Sequence, residues 1–165
     1  MKHDAPIHSC PPELAANFCQ AHGRLGLIQI DIRIALVGGD DEIVAIRQLD
    51  DVTLQHLTIE GGAPGVAILD GAGKNTPITL DTVTLALSDG LALLVDDVSG
   101  NGATHAVLQD VVVDAPETVS DEWGWGIAVQ NAEATILGGS ITNATGVGLF
   151  AHLARLNVDG TAIRD

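Results

Sequence analysis

The sequence predicts an all-β chain folded as a parallel β-helix, a solenoid of about five rungs. Three observations carry this: a recurrent apolar motif, a Gly-led strand after most copies of it, and a core that must be built almost without aromatic rings. Five segments align without gaps: VTLQHLTI (52–59), ITLDTVTL (78–85), AVLQDVVV (106–113), TILGGSI (135–141) and NVDGTAI (157–163). In each, two apolar anchors lie five residues apart: Leu54/Ile59, Leu80/Leu85, Leu108/Val113, Ile136/Ile141 and Val158/Ile163. The first anchors are separated by 26, 28, 28 and 22 residues, within the range of one solenoid coil.

Between the anchors the pattern reads strand, two-residue corner, strand. Turn-forming or polar pairs follow the first anchor in most copies: Gln55-His56, Asp81-Thr82, Gln109-Asp110 and Asp159-Gly160, with Leu137-Gly138 as the variant. A Gly followed by alternating apolar residues then supplies a third strand: GVAIL (65–69), GLALL (90–94), GIAVQ (126–130) and GVGLF (146–150). The Gly pairs Gly38-Gly39, Gly61-Gly62 and Gly138-Gly139 read as coil corners and match neither a P-loop nor a dinucleotide fingerprint.

Composition agrees. Hydrophobic residues make up 46% of the 165 positions but aromatics only 2%, so the interior is stacked Val, Ile, Leu and Ala. A narrow solenoid is filled by such side chains, whereas a globule of this size normally uses several rings.

The ends fit a solenoid. Residues 12–22 (PELAANFCQAH) open on Pro and precede Gly23, which predicts a short capping helix over the N-terminal end. The expected organisation is a tail and capping helix over 1–24 and the β-helix over 25–165. The repeat runs to Ile163-Arg164-Asp165 without a cap, which reads as a truncated end or as an edge that meets another domain. Cys10 and Cys19 are open to two readings, a disulfide or two free thiols.

Over residues 25–165 this periodic pattern resembles the right-handed parallel β-helix, or pectate-lyase-like, superfamily. The resemblance implies three parallel sheets per coil, with substrate lying along one of them. It also implies polysaccharide chemistry, often lyase or glycosidase. Lyases of that kind need a cationic base or Ca²⁺. Between residues 48 and 154 there is no Arg, and Lys74 is the only Lys. Glycosidases of the superfamily place an Asp-Asp pair just after such a strand, and Asp96-Asp97 follows GLALLV here. The accompanying Asn-Thr-Asp, Gly-His-Gly and Arg-x-Lys triplets are missing from the matching rungs, so Asp96 and Asp97 are weak catalytic candidates against a simple solvated corner.

Charge excludes other classes. With 22 acidic and 7 basic residues the net charge is −15, which opposes nucleic acid and anionic membranes. No apolar run is long enough for a membrane-spanning helix. The acidic, Lys-poor surface suits a secreted or cell-surface protein, although residues 1–10 carry no signal-peptide core.

Two features remain as site candidates. The insertion 114–125 (DAPETVSDEWGW) holds both Trp residues beside carboxylates. Trp123, Trp125, Asp121 and Glu122 form a candidate carbohydrate site, because ring faces stack on sugars while acids accept their hydroxyls. Asp114, Glu117, Asp121 and Glu122 form a weaker candidate for Ca²⁺, the one cofactor considered. The other reading of these Trp rings is a cover over a rung edge. The second feature is the outward side of the Gly-led strands. Alternation places Ala67, Leu69, Ala92, Leu94 and Phe150 there, an apolar stripe that implies self-association or a domain contact.

The leading expectation is a non-catalytic extracellular or surface module with a structural, adhesive or carbohydrate-contact role. The alternatives are a polysaccharide glycosidase or Ca²⁺-dependent lyase, and a fragment without independent function.

Overall fold

A computed structural model describes residues 28–31, 35–37, 42–100, 102–114 and 124–164. Every regular element among them is a β-strand. The first rung is β1 (Ile28–Asp31), β2 (Ala35–Val37) and β3 (Val44–Arg47); the second is β4 (Val52–Gln55), β5 (Thr58–Glu60) and β6 (Val66–Leu69). The third is β7 (Ile78–Asp81), β8 (Thr84–Ala86) and β9 (Leu91–Asp96); the fourth is β10 (His105–Gln109), β11 (Val112–Asp114) and β12 (Trp125–Gln130). The fifth is β13 (Glu133–Leu137), β14 (Ser140–Thr142) and β15 (Leu149–His152). Strands β16 (Arg155–Asp159) and β17 (Ala162–Arg164) begin a sixth turn.

Each strand pairs in parallel with its equivalent one rung away. Sheet A is β1-β4-β7-β10-β13-β16, sheet B is β2-β5-β8-β11-β14-β17, and sheet C is β3-β6-β9-β12-β15. The chain is therefore a parallel β-helix of about five rungs. The expected capping helix (12–22), the Cys10/Cys19 pair and the Gly38-Gly39 corner lie outside the described residues.

The anchor residues stack as the repeat predicts. Leu54, Leu80, Leu108, Ile136 and Val158 are successive register partners in sheet A. Ile59, Leu85, Val113, Ile141 and Ile163 are the same in sheet B. Both columns are buried through the middle rungs and open at the last, where Val158 is 41% and Ile163 51% exposed. Each stacked Leu or Ile removed from water contributes roughly 1.5–3 kcal/mol, which is how an interior without rings holds together.

The corner after each first anchor carries a residue with positive φ, His56, Thr82, Asp110, Gly138 and Gly160, joined in the fifth rung by Gly139. Each of the first four donates its amide to the next rung, His56 to Asp81 O, Thr82 to Gln109 O, Asp110 to Leu137 O and Gly138 to Asp159 O. The two-residue corners of the sequence thus work as a ladder, with the left-handed residue always second.

Sheet C departs from the simple alignment. Val66 pairs with Leu93, Ile127 also pairs with Leu93, and Ile127 pairs with Leu149. Matching the leading glycines would have paired Val66 with Leu91 and Ile127 with Val147. The slip is two residues, so the inward and outward sets keep their faces along most of each strand. The column preceding these pairs is Gly65, Ala92, Gly126 and Gly148, all small. A Cβ on Gly126 would meet Gly148 O at 2.4 Å and Ile141 Cγ2 at 2.6 Å, so this corner has no room for a side chain. Ala92 accordingly belongs to the core and not to the outward stripe.

An eight-residue excursion leaves β9 at Asp97 and rejoins at Thr104. Asp97 is fully buried. Its Oδ1 accepts the Ser99 amide (3.1 Å) and the Ser99 hydroxyl, and its Oδ2 accepts the Ala103 amide (2.7 Å). Thr104 ties the excursion to the rung beneath, accepting the Gly71 amide (2.8 Å) and donating to Asp96 O (3.2 Å). Burial pushes the Asp97 carboxyl pKa up, but the Ser99 hydroxyl and the Ala103, Ser99 and Thr104 amides outweigh it and hold it below its ordinary value of 3.8. Its stabilising effect is therefore whole above that value and is lost as pH falls through the lower folded-state pKa. Asp97→Ala removes the acceptor of the Ser99 amide and hydroxyl and of the Ala103 amide and should cost about 2 kcal/mol at neutral pH. The gap to the wild type, measured by urea denaturation, should hold at neutral pH and shrink as pH falls below 3.8.

Candidate functional site

The strands of sheet C turn two rows of side chains outward. Register sets one as Ala45, Ala67, Leu94, Ala128 and Phe150, and the other as Arg47, Leu69, Asp96, Gln130 and His152. The face changes character along the solenoid axis. At the β3 end Arg47 bridges Glu42 (3.2 Å) and Asp70 (3.1 Å). Over β6 and β12 the expected apolar stripe is not bare: Ala67 is 1% and Leu69 6% exposed on β6, and Ala128 on β12 is wholly buried, although none of the three belongs to the core cluster. Leu94 and Phe150 are half-buried.

At the β15 end lies an aromatic cluster. Because Gly126 is turned into the core, Trp125, one residue earlier, is turned out. Its ring lies 5.0 Å from that of Phe150 at 47°. Phe150 in turn stacks on His152, two residues along the same strand, at 6.4 Å and 17°. Trp125 and Phe150 are half-buried and His152 is exposed, so one side of the cluster is fixed by packing and the other faces solvent. Polar groups border it: Gln130 is the register neighbour of both His152 and Asp96, and Asn131 donates its side-chain amide to Asp96 Oδ1 (3.3 Å).

The sequence candidates fall as follows. Trp125 joins this cluster. Asp121, Glu122, Trp123 and Glu117 lie outside the described residues. Asp114 is exposed on β11, where the Thr142 hydroxyl (3.1 Å) and the Asn143 amide (2.9 Å) donate to its Oδ1. Among the described residues no three His, Cys, Asp or Glu side chains come together as metal ligands. Asp96 and Asp97 are separated by the fold: Asp96 is on the outer face, while Asp97 is buried with both oxygens engaged by its own loop.

Sequence reasoning missed that Trp125, Phe150 and His152 form one group. The alternation within LFAH puts Phe150 and His152 on one side, but bringing Trp125 to them requires the corner at Gly126.

Among the described residues no helix is long and apolar enough to cross a membrane. Compared with known protein families, curated proteins and solved structures, the chain matches none.

Proposed function

We propose that the chain is a secreted or cell-surface β-helix module that contacts carbohydrate through the Trp125–Phe150–His152 cluster. The carrying observation is the Trp125 ring held against Phe150 at the solvent-facing end of sheet C. An aromatic platform fixed from behind stacks on the apolar face of a pyranose with little loss of side-chain entropy. The Gln130 amide, one strand inward along the row, and the Asp96 carboxylate, two strands inward, offer a donor and acceptors to ring hydroxyls. The resemblance of the rung pattern to the pectate-lyase-like superfamily supports a polysaccharide as the ligand class. The net charge of −15 favours a neutral polymer over a polyuronate.

The burial of Asp97, with both of its oxygens accepting hydrogen bonds from its own loop, supports contact over turnover. Affinity electrophoresis through gels containing neutral or acidic polysaccharides tests the proposal. The wild type should be retarded by a neutral polymer, and Trp125→Ala should lose most of that retardation, a drop of about tenfold or more for a lost stacking contact worth 1.4 kcal/mol or more. Equal mobility of wild type and variant in every gel would remove this reading.

A further inference from the structure

We propose that the corner between β8 and β9 binds one Ca²⁺ through Ser88, Asp89 and the carbonyl oxygens of Gly61 and Ala92. Among the described residues three buried side-chain oxygens lack a hydrogen-bond partner, and two of them are neighbours here, Ser88 Oγ and Asp89 Oδ1. Ser88 is fully buried. A hydroxyl and a carboxylate oxygen shut away from water are costly without partners, and folded proteins satisfy such groups with a bound water or ion.

The surroundings select a cation. Ser88-Asp89 lies between two left-handed residues, Leu87 (φ 53°) and Gly90 (φ 73°), and the Asp89 amide donates to Gly62 O (2.8 Å) in the rung below. In that rung Gly65 leaves open the place where a side chain would stand. A Cβ there would lie 3.1 Å from Ser88 Oγ, 3.2 Å from Ala92 O and 3.3 Å from Gly61 O, so three oxygens converge on one point. No described Lys, Arg or His bridges Asp89. Between residues 48 and 154 the only Lys or Arg is Lys74, whose charge acts on Asp50. Hydroxyl, carboxylate and carbonyl oxygens are the donors that hard cations take. Ca²⁺ accepts such a set in flexible geometry with water filling the other positions, whereas Mg²⁺ demands a near-ideal octahedron. A single carboxylate sets the affinity low, about 10⁻⁴–10⁻³ M. The same corner carries both roots of the 114–125 insertion, through the Leu87 amide to Asp114 O (3.2 Å) and the Trp125 amide to Gly90 O (2.7 Å). A cation held between Leu87 and Gly90 therefore fixes the base on which Trp125 stands.

Thermal unfolding of the full chain, first stripped with a chelator, tests the site. Ionic strength is held constant, because a chain of charge −15 gains from screening by any salt. Ca²⁺ at ten times its Kd should raise Tm by about 3–6 °C. Calorimetric titration should give one ion per chain. Tb³⁺, a luminescent stand-in for Ca²⁺, should emit on excitation of the tryptophans and be displaced by Ca²⁺. S88A and D89N each remove a ligand oxygen, and G65A fills the space with a methyl group. All three should lose the Ca²⁺-dependent rise and the displaceable emission while keeping the wild-type circular dichroism spectrum. A wild type whose Tm and terbium emission ignore Ca²⁺ would overturn the proposal and leave water as the partner of Ser88. A rise that all three variants retain would place the ion elsewhere, and an equal rise with Mg²⁺ would show screening alone; either result equally overturns it.

Discussion

Gly73→Ala should destabilise the protein by about 3 kcal/mol or more, a large share of the 5–15 kcal/mol that holds a typical domain. Gly73 sits in the loop after β6 with φ +77°, and a Cβ there would lie 2.1 Å from His105 O and 2.9 Å from the Ile78 amide nitrogen. Both obstacles are backbone of β10 and β7, strands in the middle of sheet A, and neither can withdraw without breaking ladder bonds. The loop is pinned from both sides, the Gly73 amide to Leu49 O (2.7 Å) and the His105 amide to Ala72 O (2.9 Å). A left-handed conformation costs a non-Gly residue roughly 1–2 kcal/mol, and the clash adds to that. Gly71 is the internal control: its φ is +84°, yet an added Cβ meets nothing within 4 Å. Gly71→Ala should therefore show the conformational cost alone, roughly 1–2 kcal/mol. Urea denaturation of both variants measures the difference, with a lower midpoint and an unchanged slope expected for each. Equal losses would mean that Gly73 is not pressed against the strands as described.

Leu108→Ala should cost about 3–5 kcal/mol, the range for a cavity that its surroundings cannot fill. Leu108 is fully buried between Leu80 and Ile136, and the rungs on either side are held by their own hydrogen bonds at fixed spacing. Collapse into the cavity is therefore restricted. Val158→Ala removes apolar atoms from the same column at a position already 41% exposed, and should cost under about 1 kcal/mol. The site of the loss matters as much as its size. A solenoid is held by contacts between neighbouring rungs, so a defect in the fourth rung should lower hydrogen-exchange protection most in β7, β10 and β13. Protection lost evenly along the chain would point to a globular core instead.

Much of the fold was legible because one physical rule recurred. Anchors five residues apart with a turn pair between them leave few ways to bury both sides, and all five anchor pairs stack in the expected register. The corners were visible as turn pairs, but the left-handed conformation of the second residue in each, His56, Thr82, Asp110 and Gly160 beside the Gly138-Gly139 pair, was legible only at the glycine pair.

Sheet C was less legible. In GLALL and GVGLF apolar residues recur at every second position, so a slip of two leaves the alternation intact. What decides the register is the space at the corner, filled by Gly65, Ala92, Gly126 and Gly148, and crowding between rungs is not visible in a linear pattern. The outward stripe fails at Ala92 for that reason. At Ala67 and Leu69 it fails because outward does not mean exposed. The candidate site was half legible. Trp125 stands out by rarity, but its contact with Phe150 lies 25 residues away along the chain and depends on the turned corner. Asp96-Asp97 looked like a pair because the residues adjoin, whereas the excursion to Thr104 draws Asp97 inward as its anchor.

The carbohydrate-contact account is tested most directly by backbone amide chemical-shift mapping of the isotope-labelled chain during titration with neutral oligosaccharides. The account predicts shifts concentrated at Trp125, Gln130, Phe150 and His152, with Asp114 and the Arg47 end of sheet C unmoved. Saturable shifts centred anywhere else, or no shift with any oligosaccharide, would contradict it.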